Sequence, residues 1–291
     1  MQSLKEIRTR IKSVSSTRQI TAAMKMVAAA KLRKAQDAIL RLRPYASAMH
    51  NILLNVTVGA EHDGNKIFTE NREPENILIV LVTANRGLCG AFNASVIKHV
   101  RMLTEEKYAQ QLGNKQVHFI CIGKKGYDFM RLRQYPVLAH DQELGEKPRF
   151  EEAAKLADAL TTWFIEKKYD RIYLVYNQFK NAAVQMPVAE MFLPLRMEKK
   201  PSGWQRQADY IMEPSRDVLL EELIPRSLRI QLFKALTDSY AAEQGARMTS
   251  MHQATDNASE LLRELQLTYN KARQAAITKE LSEIVGGADA L

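Results

Sequence analysis

Two stretches free of strong helix breakers, one at each end, constrain this chain more than anything between them. In the first, Leu4, Ile11, Arg18, Lys25, Leu32 and Ile39 form one series, and Ile7, Val14, Thr21, Ala28, Ala35 and Leu42 form another. Steps of three and four alternate between the series, which is the pattern of a coiled-coil seam. No glycine or proline interrupts before Pro44. The pattern predicts a helix over 4–42, roughly 60 Å long.

The last segment repeats the design with Met248, Met251, Thr255, Ala258, Leu262, Leu265, Tyr269, Ala272 and Ala276. Between Pro225 and Gly286 the one helix-weakening residue is Gly245. A helix over 226–285, roughly 90 Å long, is predicted. Each apolar stripe is too narrow to build a core alone, so each is the economical partner of the other. The two ends are expected to pair as an antiparallel coiled coil, with Ala28, Ala35, Ala258, Ala272 and Ala276 letting the axes approach closely.

The middle follows other rules. "ILIVLV" (77–82), "VHFICI" (117–122) and "RIYLVYN" (171–177) read as buried strands, and helical patterns at about 91–111, 124–133 and 149–168 alternate with them. That alternation implies a largely parallel sheet with helices on its faces. "AAVQMPVAEMFLPL" (182–195) reads as further strand, confined to an edge or an end by Pro187 and Pro194. The expected fold class is α/β: a long antiparallel coiled coil of N- and C-terminal helices plus a Rossmann-like middle domain. The boundaries are 1–58 for the first helix, 59–215 for the α/β domain and 216–291 for the last helix.

The turn after the first strand, "NRGLCGAFN" (85–93), stands where a nucleotide-binding domain holds phosphate. Its glycines, Gly87 and Gly90, lack the third glycine of a dinucleotide fingerprint, and no acid follows the second strand to hold a ribose. Phe92 and Asn93 occupy the places where a P-loop carries Lys and Ser/Thr. The glycines are expected to serve positive φ in a tight turn, and no direct nucleotide binding is expected. The histidines at 50, 62, 99, 118, 140 and 252 form no metal-binding spacing, and Cys89 and Cys121 fit neither a metal site nor a disulfide framework. The sequence therefore predicts no catalytic residues, no cofactor and no metal.

Charge is distributed unevenly. Residues 1–60 hold eleven Lys or Arg against two acids, so the whole net charge of +9 sits on the first arm. A basic coiled coil that binds nucleic acid or acts as a scaffold is the alternative reading. Against it, residues 1–44 contain no Phe, Tyr or Trp to stack on bases. The longest aliphatic run, Ile77–Val82, is far short of the ~20 residues that span a bilayer, and no signal-peptide core follows Met1.

"KEIRTRIKSVSSTRQITAAMKMVAAAKLRKAQ" (5–36), "RGLCGAFN" (86–93) and "ARMTSMHQATDNASELLRELQLTYNKARQAAITKELSEIVGGA" (246–288) together resemble the gamma subunit of the F-type ATP synthase, its central rotor shaft. The likeness covers essentially the whole chain. It implies a coil standing inside a hexamer of alpha and beta subunits, and a foot beside the epsilon subunit and on the membrane c-ring. It also implies a subunit that is not itself catalytic, peripheral to the cytoplasmic face of a bacterial inner membrane. Arg247, Gln274, Thr278 and Glu280 match the region that meets the hexamer, and Met24 and Lys25 lie in the matching N-terminal stretch. Asp209, Tyr210, Met212 and Glu213 match the foot contact to the c-ring and epsilon. Arg18 and Lys25 share the face of Leu4, Ile11 and Leu32, whereas Ile20, Met24 and Val27 point roughly the other way. A helix with one partner has no reason to change faces there, so Ile20, Met24 and Val27 are expected to touch a second partner, a beta subunit.

Overall fold

The computed structural model describes residues 3–57, 68–70, 72–195, 213 and 215–288. It comprises two compact units, Met1–Ala29 with Arg247–Leu291, and Ala30–Ala246. Helix α1 spans Leu4–Thr57 and the last helix, α7, spans Arg216–Ala288. A capping box starts α1: the Ser3 hydroxyl accepts from the Glu6 amide at 3.3 Å, and the Glu6 carboxylate accepts from the Ser3 amide at 3.1 Å. Ser215 plays the capping part for α7, accepting from the Val218 amide.

Both helices run through the prolines that were expected to bound them. α1 passes Pro44, and α7 begins ahead of Pro225. An interior proline loses a backbone hydrogen bond and crowds the preceding turn, at a cost of about 3 kcal/mol. Packing outweighs that cost. Leu220, Ile224 and Leu228 bracket Pro225 and are buried to 1% exposure or less. Each such side chain contributes roughly 1.5–3 kcal/mol. Ile39 and Met49, also buried, bracket Pro44 in the same way.

The second unit contains a sheet of β1 (Ile77–Val82), β2 (Val117–Ile122), β3 (Val137–Asp141), β4 (Arg171–Phe179) and β5 (Gln185–Leu193), in the order β3-β2-β1-β4-β5. The first four are parallel and β5 is antiparallel to β4. Helices α2 (Phe92–Met102), α3 (Ala109–Gly113), α4 (Lys124–Leu132), α5 (Glu143–Glu146) and α6 (Phe150–Ile165) connect them, with a π turn at Leu103–Lys107. Every residue of β1 is buried. Leu78, Val80 and Val82 join α6 and α7 residues in one core, while Ile77, Ile79 and Leu81 join α2 and α4 residues in the other. This two-sided burial is why the strand reads as a continuous apolar run.

β5 lies at the sheet edge with Pro187 inside it and Pro194 just beyond, where a missing amide is tolerated. The opposite edge strand, β3, and the short helix α5 have no counterpart in the sequence reading. Most of β3 is exposed, so it carries no buried pattern.

Candidate functional site

The coil unit is organised by two contacts across its seam. The Thr255 hydroxyl donates to the Thr21 oxygen at 2.8 Å, and Lys25 Nζ lies 3.1 Å from His252 Nδ1. Four steps forward along α1 are three steps back along α7, so the helices are antiparallel, as expected. Continuing that register sets Val14 opposite Leu262 and Ile7 opposite Tyr269. Ile7, Thr21, Ala28, Met251, Ala258, Leu262 and Leu265 are all buried. Arg18, a seam position by spacing, is exposed: its long stem carries the guanidinium out to water.

The same register sets Leu4 opposite Ala272, so the residues of α7 after about 273 extend beyond the start of α1. There Ile277, Leu281, Ile284 and Val285 are 49–68% exposed. At 100° per residue they fall within an arc of about 100°. This is an apolar stripe of the kind a helix buries against something.

Comparison with known proteins decides what such a coil belongs to. The sequence model of the ATP synthase family matches residues 3–291. The ATP synthase gamma chain of Flavobacterium johnsoniae is 52% identical over all of this chain and 99% of its own length. The gamma chain of Cytophaga hutchinsonii is 47% identical with the same coverage. The chain belongs to the gamma-subunit family of the F-type ATP synthase. Gamma subunits are central-stalk, non-catalytic members of that complex. The fold agrees: a subunit in a Euglena gracilis mitochondrial ATP synthase structure (OSCP/F1/c-ring, rotational state 3) matches 99% of this chain and 94% of its own at a TM-score of 0.68 and 24% identity. Membership in this family sets aside the nucleic-acid or scaffold alternative.

The residues singled out in this gamma-family sequence fall in different surroundings. Ile20 and Val27 stand 60% and 56% exposed, as expected of a face turned from the seam. Met24 does not follow them fully. It is half-buried, because it sits angularly between Ile20 and the seam residue Thr21. Met26, which was not anticipated, is 68% exposed beside Val27. Lys25 is half-buried and engaged with His252. Arg247 is half-buried, and Gln274, Thr278 and Glu280 are exposed beyond the paired part of the coil. The Thr278 hydroxyl donates to the Gln274 carbonyl at 2.9 Å. Of the foot residues, Glu213 is exposed, and Asp209, Tyr210 and Met212 lie outside the described residues. The apolar spacing of Ile277, Leu281, Ile284 and Val285 was legible in the sequence and was missed.

The glycine turn differs in one respect from expectation. Gly90 has φ 57°, but the other left-handed residue of the turn is Leu88 at 61°, not Gly87. The turn is tied down by its own chain. The Asn93 side chain accepts from the Ala84 amide at 2.9 Å. At the next helix the amides of Lys124, Lys125 and Gly126 donate to Asn85 Oδ1, the Ala84 carbonyl and Thr83 Oγ1. These first amides of α4 are thereby satisfied within the chain. Gly123, at φ 98°, packs so tightly that a Cβ there would collide with the Thr83 carbonyl oxygen. Cys121 is buried and its thiol is pushed up to about 12 by loss of hydration, which makes it an unreactive core residue. Among the described residues, no group of three or more His, Cys, Asp or Glu could hold a metal, and no helix is long and apolar enough to cross a membrane.

Proposed function

We propose that this chain is the rotor shaft that couples turning of a membrane c-ring to ATP synthesis or hydrolysis in an alpha/beta hexamer. The coil (1–58 with 216–291) stands in the hexamer, and the α/β domain (59–215) is the foot, beside epsilon and on the ring. The reading rests on one observation above all: the apolar stripe at Ile277, Leu281, Ile284 and Val285 is exposed, uncovered among the described residues, in a protein whose whole length matches the family. An enclosing ring of other subunits is the partner such an exposed stripe calls for. Ile20 and Val27 supply a second, lower contact to a beta subunit, with Met24 and Lys25 at its border. Arg247, Gln274, Thr278 and Glu280 complete the hexamer-facing set, and Asp209, Tyr210, Met212 and Glu213 meet the ring and epsilon. The basic arm fits this role physically. A positive shaft is attracted by acidic loops from every angle, and screened charge contacts slide where interlocked apolar ones would hold. The complex is placed at the cytoplasmic face of a bacterial inner membrane, with this subunit peripheral.

The test is assembly with the alpha and beta subunits of the same organism, followed by proton pumping in vesicles that carry the whole complex. Replacing Leu281 and Ile284 together by Asp is expected to leave the helix content of the free chain unchanged, while ATP-driven pumping falls relative to hydrolysis. A chain that fails to co-purify with the alpha and beta subunits overturns the reading.

A further inference from the structure

The turns that carry the chain from α3, α4 and α6 back into the sheet share one conformation. Two residues past each helix the backbone is left-handed: Lys115 at φ 59°, Gln134 at 58° and Lys167 at 60°. Each turn closes on its helix in the same way. The amides of Lys115 and Gln116 donate to the carbonyls of Leu112 and Gln111, those of Gln134 and Tyr135 to Arg131 and Met130, and those of Lys167 and Lys168 to Phe164 and Trp163. This is the Schellman ending, whose left-handed position glycine fills with least strain. Long polar side chains stand there instead, and all three are exposed. Because β1 to β4 are parallel, the turns lie along one edge of the sheet, in the order β3, β2, β1, β4. Charge is sorted along that edge by sign. Arg131 and Arg133 precede β3, Lys115 precedes β2, Glu73 and Glu75 precede β1, and Lys167 precedes β4, all of them exposed. Lys168 is paired with Glu166 at 2.7 Å. The two acids line a cleft of about 510 Å³ whose other walls are amide side chains, Gln110, Gln111, Asn114 and Gln116, with Pro74.

We infer that this edge is a docking surface for a protein partner that presents a basic side chain to the Glu73–Glu75 cleft and acidic groups to the cations on either side. On the reading of the foot given above, on which this inference rests, that partner is the polar surface of the membrane ring. The path of the chain agrees. β5 ends at this edge, with Leu193 paired to Ile172 at the start of β4. Gln231 bonds Glu190, which is opposite Leu174, and Gly245 packs on the Ala182 backbone beyond the end of β4, so α7 climbs from this edge to the far one. Residues 209–213, matched to the ring contact, lie in the chain between β5 and α7, which both meet this edge. Charge favours a protein surface over lipid headgroups, because the central acids repel an anionic bilayer and a cleft receives a side chain, whereas a bilayer presents a plane. A row of alternating sign also differs in kind from the uniformly basic arm. Shifting the partner either way by one strand spacing, ~4.8 Å, sets its basic group against Lys115 or Lys167. The edge therefore holds one position where the arm slides, and the strain kept at Lys115 and Lys167 serves that contact.

The test is rebinding of the soluble complex of alpha, beta, gamma and epsilon subunits to ring-containing membranes stripped of it, titrated at low salt. Protein-free vesicles of phosphatidylglycerol are the second surface. Lys115→Gly with Lys167→Gly is the decisive double variant. Glycine relaxes both turns, so the unfolding midpoint of the free chain is expected to rise. Rebinding is expected to weaken roughly fivefold to tenfold, the loss of two exposed charge contacts. A merely structural role for these lysines would not move stability and binding in opposite directions. Glu73→Lys with Glu75→Lys should weaken rebinding at least as much, and high salt should erase the differences from the parent. ATP hydrolysis by the soluble complex is expected to stay at the parent level throughout. Glycine variants that rebind as the parent does overturn the surface. Binding of the parent complex to phosphatidylglycerol vesicles as tight as to the stripped membranes overturns it as well, in favour of lipid. A chain that never assembles with alpha and beta subunits overturns instead the reading on which the surface rests.

Discussion

Thr255 donates its hydroxyl to Thr21 across 2.8 Å, joining residues 234 apart in the chain at one level of the seam. The Thr21 hydroxyl in turn donates to the Arg18 carbonyl at 3.0 Å. Each hydroxyl also has a carbonyl of its own helix, so the bond between the two is what a slide of register would lose. Thr21→Val is expected to cost at most about 1 kcal/mol, since it removes the bond across the seam while the Thr255 hydroxyl keeps the Met251 carbonyl at 2.7 Å. Thr255→Val should cost a similar amount, and the double variant less than the sum of the two. A double-mutant cycle by thermal or urea unfolding measures this; strict additivity would show the bond to be incidental.

Leu262→Ala removes a side chain that is 7% exposed in the seam. Core truncations of this type cost about 2–5 kcal/mol, and a two-helix unit that can close over the gap belongs at the lower end. The register gives a stricter test. Val14→Cys with Leu262→Cys should form an intramolecular disulfide under mild oxidation, whereas intermolecular dimers alone would contradict the antiparallel pairing.

Asp238 is 1% exposed and one of its carboxylate oxygens, Oδ1, has no hydrogen-bond partner among the described residues. Loss of hydration raises its pKa, nearby Lys234 and Arg43 oppose the rise, and Glu190 adds to it. A carboxyl whose folded pKa exceeds its unfolded one stabilises the fold fully at pH below the unfolded value. That contribution is lost as the pH climbs through the folded value. The chain should therefore lose stability as pH rises from the ordinary value of 3.8 through the raised one. Asp238→Asn should flatten that dependence and be relatively stabilising at neutral and higher pH. Denaturant unfolding at several pH values measures it; parallel curves for the two proteins would exclude the effect.

Gly123 is needed for its backbone twice over, by its φ of 98° and by the closeness of the Thr83 carbonyl. Gly123→Ala should destabilise the α/β unit by more than ~1 kcal/mol, as alanine does where φ is positive. Gly87 is an internal control, since nothing lies within 4 Å of a Cβ there and its φ is not in the left-handed range. Gly87→Ala should leave the unfolding midpoint nearly unchanged.

Ile20 is 60% exposed, so Ile20→Lys should leave circular dichroism and unfolding of the free chain within about 0.5 kcal/mol of the parent. In assembled enzyme the same change is expected to keep ATP hydrolysis while its coupling to proton pumping falls. Normal coupling at normal assembly would remove Ile20 from the partner contact.

The parts of this protein that were legible in its sequence are those where burial repeats with a period. β1 was visible because both of its faces are covered, and the seam from Ile7 to Ala28 because one face is. β3 was not, since Leu138, Ala139, His140 and Asp141 are exposed and their order carries no pattern. The prolines misled because a local penalty was read without the packing of Leu220, Ile224 and Leu228 that overrides it. At the candidate site, Ile20 and Val27 announced themselves by breaking the heptad. The contact of Lys25 with His252 could not, because it joins residues 227 apart and depends on a register that only the folded coil supplies.

The seam has a consequence for how the protein is made. Its two halves come from opposite ends of the chain, and Thr21 has no partner across the seam until Thr255, 234 residues later, has been synthesised. At 5–20 residues per second that interval is roughly 10–50 s. During it the basic arm leaves the ribosome with Ile7, Leu32 and their neighbours uncovered, while the β1–β2 pairing can already form. The arm's excess of positive charge then has a use before any rotor exists, holding apart nascent chains whose sticky stripe waits for the last helix to arrive.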